Sequence, residues 1–193
     1  MKKLKQTVQA LIHINDVEWK NAKSIFKIRN YKKGDLILYP NKICNVNHYV
    51  LDGIVRSYLL NEFSIDTTIE LHVNDEDYYH NPFFGDFVSY ATQKEGEILC
   101  EALTDCTIAI SKFNDIEKLY ASNIKWMKFG KIMAEMQIVK LVESKRWATL
   151  SAKERFKHIK KNKLLYTKLL PDYHLASLIG ITPQSLSRIK KEL

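Results

Sequence analysis

Apolar positions along this chain follow three regimes in turn. In "INDVEWKNAKSIFKI", Val17, Ala22, Ile25 and Phe26 give a partial helical face. Asn15 stands where a helix cap belongs and Glu18 three residues on, the spacing of a capping box. From Tyr31 to about Ile110 the texture changes to short β-type runs, "DLILY", "HYVLDGIVRSYLL", "DTTIELHV" and "TIAI". Turn signals at Gly34, Pro40-Asn41 and Asp52-Gly53 separate them, and Asp52-Gly53 predicts a hairpin. Successive strands without helical crossovers predict an antiparallel roll or barrel.

After Lys112 the period lengthens. Between Phe113 and Trp147 there is no proline and Gly130 is the only glycine, which predicts one long helix. Trp126, Phe129, Met133, Met136 and Gln137 form one stripe, and Ile132, Val139 and Val142 another. A helix apolar on two sides must bury both. One side suits its own β domain and the other a second copy of the chain, paired in parallel about a two-fold axis. Trp126, Phe129, Met133, Met136 and Gln137 are taken as the residues of the dimer helix. "LSAKERFKHIKKNKLL" then predicts a further amphipathic helix, with Ser151 as cap and Glu154 three residues later.

The last segment, "DYHLASLIGITPQSLSRIKKEL", reads as two short helices crossing at a turn. Leu175, Ala176, Ile179, Ile181, Leu186 and Ile189 fall where such helices touch. Gly180 sits at the turn, where a left-handed backbone costs only glycine little. Thr182 can cap the second helix and Pro183 suits its first position. The outward face of that helix carries Gln184, Ser185, Arg188 and Lys191. Arg can bond guanine through two donors and Gln can do the same with adenine, which is major-groove chemistry. Ser185, Ser187, Lys190 and Lys191 suit phosphate, giving register rather than discrimination.

Charge sharpens this picture. Residues 1–122 hold 14 Lys/Arg against 17 Asp/Glu, and residues 123–193 hold 16 against 5. The balances of −3 and +11 make up the net +8 of the 193-residue chain. A basic half joined to a mildly acidic one predicts a phosphate-rich partner.

The order of these parts resembles the CRP/FNR family of bacterial transcription regulators. The resemblance runs over nearly the whole chain and is most specific in "YKKGDLIL", "HYVLDGIVRSYLL" and "LSAKERF…LASLIGITPQSLSRIKK". It implies an α+β fold in three parts. Residues 1–112 form an N-terminal antiparallel β-roll, of double-stranded β-helix or jelly-roll type and cyclic-nucleotide-binding-like, with an N-terminal helix. Residues 113–148 form the long dimerisation helix, and residues 149–193 the all-α helix-turn-helix domain. The implied function is sequence-specific binding of double-stranded DNA by a homodimer. Thr182, Pro183, Gln184, Ser185, Ser187, Arg188, Lys190 and Lys191 form the DNA-binding set. RNA polymerase and a small-molecule effector of unknown identity are further candidate partners.

Two features depart from the family. Cyclic-nucleotide-binding relatives hold the ribose with Gly-Glu-Leu and the cyclic phosphate with Arg-Ala or Arg-Ser. The matching stretch here, "FGDFVSYATQKEGEILCEAL", has Gly85-Asp86-Phe87 in the first place, no arginine in the second, and Glu95 and Glu97 nearby. The implied effector pocket, at Phe84, Gly85, Asp86, Phe87, Glu97 and Leu99, is therefore not expected to bind cyclic AMP. The chain also stops at Leu193, so the recognition helix is expected to work without a C-terminal wing. Lys157, Lys160, Lys161 and Lys163 are partial replacements for the lost phosphate contacts.

Other chemistries find little support. There is no GxSxG, P-loop, GxGxxG or HExxH, so an enzyme is not expected. Cys44, Cys100 and Cys106 lack CxxC spacing and read as buried thiols of a cytoplasmic protein. No cofactor or metal is expected, because His48, His72 and His80 lack the paired HxH of a cupin-like site. Asp75-Glu76-Asp77 reads as a solvated loop. Tyr78, Tyr79, Phe83 and Phe84 either line a cavity or fill the core, filling being the simpler reading. The alternative function is a cupin-like small-molecule or metal-binding β-roll protein with a helical interaction tail. No apolar run is long enough to span a membrane.

Overall fold

The computed structural model describes residues 1–63, 65–74, 82–162 and 164–193, with only the backbone of 164 and 165. Tyr78, Tyr79, His80, Lys163 and the Asp75–Asp77 run lie outside the described residues. The chain divides into two compact units, Met1–Ser57 with Leu71–Gln137 and Tyr58–Glu70 with Ile138–Leu193. The second unit thus takes in a β segment that boundaries after 112 and 148 would leave with the first.

The first unit opens with α1 (Lys2–Leu11) and α2 (Asp16–Lys23). Asn15 and Glu18 make the expected capping box at the start of α2. Eight strands follow: β1 (Lys27–Tyr31), β2 (Leu36–Leu38), β3 (Val46–Asp52), β4 (Ile54–Leu60), β5 (Asp66–Val73), β6 (Phe83–Phe84), β7 (Leu99–Ala102) and β8 (Cys106–Lys112), with α3 (Phe87–Thr92) between β6 and β7. They form two four-stranded sheets, in the orders β1-β8-β3-β6 and β2-β7-β4-β5, so the expected roll is present. β3 and β8 pair antiparallel with Val46 opposite Lys112 and His48 opposite Ile110.

Asp52-Gly53 does not make a hairpin. β3 and β4 belong to different sheets, and the chain switches sheets at Gly53. The glycine has φ +89°, and a Cβ there would lie 2.5 Å from the Asp105 carbonyl oxygen. A corner this tight needs the same residue as a hairpin turn, which is why the two look alike in sequence.

One core joins α1 and α2 to the first sheet through Leu4, Val8, Ile14, Trp19, Tyr49 and Ala109. The other fills the roll with Val50, Val55, Phe84, Cys100 and Ile108. Cys44, Cys100 and Cys106 are buried free thiols.

The expected single helix from Phe113 to Trp147 is interrupted. α4 (Phe113–Ser122) ends at Asn123, whose extended backbone (φ −160°, ψ 135°) starts α5 (Ile124–Ala148) in a new direction. Asn123 Oδ1 accepts the Lys125 N–H at 2.9 Å, meeting one of the unpaired donors of the new helix. Trp126 and Phe129 are 4% and 6% exposed and belong to the first unit's own core, with Met133 packed against it. Met136 is half-buried and Gln137 exposed. The apolar side chains α5 leaves open are instead Ile124, Met127, Ile138, Val139, Leu141 and Val142, each more than half exposed.

The second unit is helical apart from its β segment: the end of α5, then α6 (Ala152–Asn162), α7 (Leu164–Leu169), α8 (Asp172–Ile179) and α9 (Pro183–Lys191). Ser151 and Glu154 form the expected reciprocal cap at α6. Among the described residues no helix is long and apolar enough to cross a membrane.

Candidate nucleic-acid interface

The local chemistry of α8 and α9 fixes their crossing. Gly180 has φ +82°, and its N–H and that of Ile181 both bond the Ala176 carbonyl, at 2.9 and 3.0 Å. Two amides returning to one turn end α8 as a left-handed glycine cap allows. Two residues on, Thr182 Oγ1 accepts the Ser185 N–H at 3.2 Å and Pro183 opens α9. Leu175, Ala176, Ile179 and Leu186 are fully buried between the helices, and Ile181 and Ile189 half-buried.

With Leu186 turned inward, the outer side of α9 follows from helix geometry. Gln184, Ser187, Arg188 and Lys191 stand at i, i+3, i+4 and i+7 and are all exposed, one continuous stripe opposite the core. The other expected DNA-binding residues have local partners. Thr182 and Pro183 build the helix start, and Ser185 lies 3.0 Å from Thr182 Oγ1. Lys190 reaches back to Asp172 of α8 as an ion pair. Among the described residues no ion pair engages Arg188 or Lys191. On α6, Lys157 and Lys161 are exposed, while Lys160 donates to the Leu193 carbonyl at 3.2 Å. Lys153 binds Glu192 at 2.6 Å and holds that carboxyl below its usual range.

One residue that sequence reasoning passed over organises this unit. Arg155, on α6, donates from Nε to the Trp147 carbonyl at 3.1 Å and from Nη2 to Ala148 at 3.0 Å, both at the end of α5. Its Nη1 donates to the Ile179 carbonyl at 2.8 Å, at the end of α8. The guanidinium thus bonds carbonyls at two helix C-termini, that of Trp147 shared with the Leu150 N–H, and meets the negative ends of both dipoles. Its signal in sequence is only an arginine inside "KERF". Ser177 was missed likewise; its hydroxyl accepts the Thr68 N–H at 2.8 Å.

The six expected pocket residues differ in exposure. Phe87 is 63% exposed and Glu97 exposed, whereas Phe84, Asp86 and Leu99 are buried. Phe84 is stacked between His48 and His72, with ring centroids 4.7 and 5.1 Å away. Asp86 serves the protein itself: one carboxylate oxygen accepts the Ser89 N–H at 2.9 Å to cap α3, and the other faces the Ile98 N–H at 3.5 Å. The nearest buried arginine in sequence is Arg56 on β4, ion-paired to Glu101 of β7 at 3.0 Å. Inside the roll Ser57 Oγ lies 2.7 Å from His72 Nε2 and 3.2 Å from Cys100 Sγ. Burial pushes His48 down to about 4. An apolar cavity of about 40 Å³ lies elsewhere in the first unit, among Val8, Trp19, Phe83, Tyr120 and Phe129, with room for roughly one water-sized group.

The architecture matches known structures over most of its length. FixK2 from Bradyrhizobium japonicum superposes with a TM-score of 0.69 at 16% identity, over 88% of this chain and 84% of that one. CLP from Xanthomonas campestris, a c-di-GMP-responsive global regulator, gives 0.66 at 14%, over 92% and 91%. A CooA mutant from Carboxydothermus hydrogenoformans gives 0.65 at 16%, over 94% and 85%. The fold is the CRP/FNR one. No protein-family model and no curated protein matches the sequence. At this identity the likeness carries the fold and no residue role. The reading of α9 therefore rests on its own residues.

Proposed function

We propose that this chain is a homodimeric, sequence-specific DNA-binding transcription regulator. The carrying observation is the exposed stripe Gln184, Ser187, Arg188 and Lys191 on a helix capped and anchored for presentation. Arg188 and Gln184 read base edges, while Ser187 and Lys191 bond phosphates. Ser185 and Lys190, though partnered locally, border the same surface. The +11 balance of residues 123–193 supplies the salt-dependent share of affinity.

Dimerisation runs along α5, through the open residues Ile138, Leu141 and Val142 rather than through Trp126 and Phe129. Two heads related by that axis address half-sites about 34–36 Å apart. Cyclic AMP is not the effector, because the carboxylate of Asp86 is spent on capping α3 and no arginine follows between Gly85 and Leu99. RNA polymerase is the protein partner such a regulator addresses.

The test is selection from a randomised duplex library at two salt concentrations, without added ligand. Enrichment of a two-fold-symmetric motif is expected. Arg188→Ala should cost about 1–3 kcal/mol and relax preference at one position of each half-site. Lys191→Ala should weaken all sequences alike and lower the salt slope by about one. Weak binding without enrichment would show that α9 is not a reader.

A further inference from the structure

β5 is the outer strand of its sheet, in the order β2-β7-β4-β5. The outer edge of such a strand is where side chains of other elements can bond its main chain. Here one side chain engages two main-chain groups. Ser177 Oγ, from α8, accepts the Thr68 N–H at 2.8 Å and donates toward the Asp66 carbonyl oxygen at 3.1 Å. In an extended strand the C=O of one residue and the N–H of the residue two later point to the same edge, so Asp66 and Thr68 form a two-point socket. A hydroxyl fits it because it carries both a donor and acceptor lone pairs. Glu70, on the same face of the strand two residues on, binds Lys140 of α5 at 2.5 Å. Thr67 and Ile69, on the other face, are exposed. One stretch of β5 therefore grips α8 and α5 together, and all of these residues lie in the second unit.

Holding α8 also holds α9. The two helices share the buried Leu175, Ala176, Ile179 and Leu186, and Lys190 of α9 is paired with Asp172 of α8. The grip leaves Gln184, Ser187, Arg188 and Lys191 on the exposed side.

We propose that Ser177 is a positioning residue: the β5 edge fixes the helix-turn-helix relative to α5 and so sets the distance between the two recognition helices of a dimer. This rests on the reading of the chain as a dimeric DNA-binding protein.

The prediction concerns spacing rather than affinity. On duplexes selected by the wild-type protein, lengthening or shortening the gap between half-sites by one base pair should weaken wild-type binding about tenfold or more. In Ser177→Ala that discrimination should fall to about twofold, the loss of a neutral bond pair being worth about fivefold or slightly more. Base preference within each half-site should stay unchanged. Ser177→Thr keeps the hydroxyl and should retain the discrimination, which separates the contact from a general loosening of α8. A readout without DNA is amide exchange at Thr68, which should quicken at least about tenfold in Ser177→Ala. If wild-type protein selects no symmetric site, the regulator reading fails while amide exchange still reports the contact. If wild-type protein discriminates spacing and folded Ser177→Ala does so equally, the positioning role is overturned.

Discussion

Lowering the pH should destabilise the first unit through His48. It lies on β3, 2% exposed, stacked on Phe84, and among the described residues its Nδ1 has no hydrogen-bond partner. Burial is the main cause that lowers it from 6.5 to about 4, with the neighbouring His72 and Arg29 adding to the effect. An imidazole that protonates less readily in the folded state than in the unfolded one draws protons into the unfolded chain. Stability is therefore full above pH 6.5, falls as pH drops toward 4, and has no further loss from this group below that. At 1.36 kcal/mol for each unit between the two values, the loss is about 2 kcal/mol at pH 5 and about 3 kcal/mol at pH 4. The perturbation is His48→Phe, which keeps a ring against Phe84 and removes the titration. Urea unfolding at pH 7, 6, 5 and 4, followed by fluorescence of the buried Trp19 and Trp126, measures both proteins. The variant should start close to wild type at pH 7, a ring still packing on Phe84, and then stay nearly level to pH 5. Exposed carboxylates held low by lysines, Asp16 and Asp105 among them, lose their contribution only at more acid pH and equally in both proteins. Equal losses in wild type and variant between pH 7 and 5 would refute the argument.

Three further outcomes test the second unit. Arg155→Ala should cost about 3 kcal/mol in the unfolding of the helical unit, since a charged donor leaves three carbonyls behind; a shift below about 1 kcal/mol would mean that solvent replaces it. Gly180→Ala should cost about 1–2 kcal/mol through its φ of +82°, visible as a lower melting temperature and weaker DNA binding. Ile138→Lys with Leu141→Lys should convert dimer to monomer in sedimentation experiments and reduce operator affinity at least about hundredfold; an unchanged dimer would place the interface elsewhere than on the open side of α5.

Much of this was legible in the chain itself. The strands announced themselves by alternation and β-branching, and the caps at Asn15, Ser151 and Thr182 by residue type at fixed offsets. Gly180 and Pro183 marked the turn because few other residues tolerate those backbone positions. These features depend on neighbours a few residues away, which is what a sequence displays. Asp52-Gly53 was legible as a turn but not as a change of sheet, since the same left-handed glycine serves both. The stripes of α5 were visible, but not which of them the monomer would take. Trp126 and Phe129 are the bulkier and found a core in α1, α2 and the first sheet, leaving the smaller Ile138, Leu141 and Val142 open.

Arg155 and Ser177 were illegible for a common physical reason. Each binds backbone: three carbonyls in one case, a carbonyl and an amide in the other. Backbone partners are the same for every residue type, so Trp147, Ala148, Ile179, Asp66 and Thr68 carry no compositional mark of the contact. A charge pair such as Lys140 with Glu70 at least leaves two complementary residues to be found. On the proposed reading, the stripe on α9 is visible in residue types because bases and phosphates select side chains, whereas α8 and α9 are held by side chains that meet main chain. Specificity and geometry would then be encoded by different kinds of contact. Substitutions at Arg188 should change which bases are preferred, and those at Ser177 how far apart the half-sites lie. A variant at either position that changed both together would show that reading and positioning are not separable in this fold.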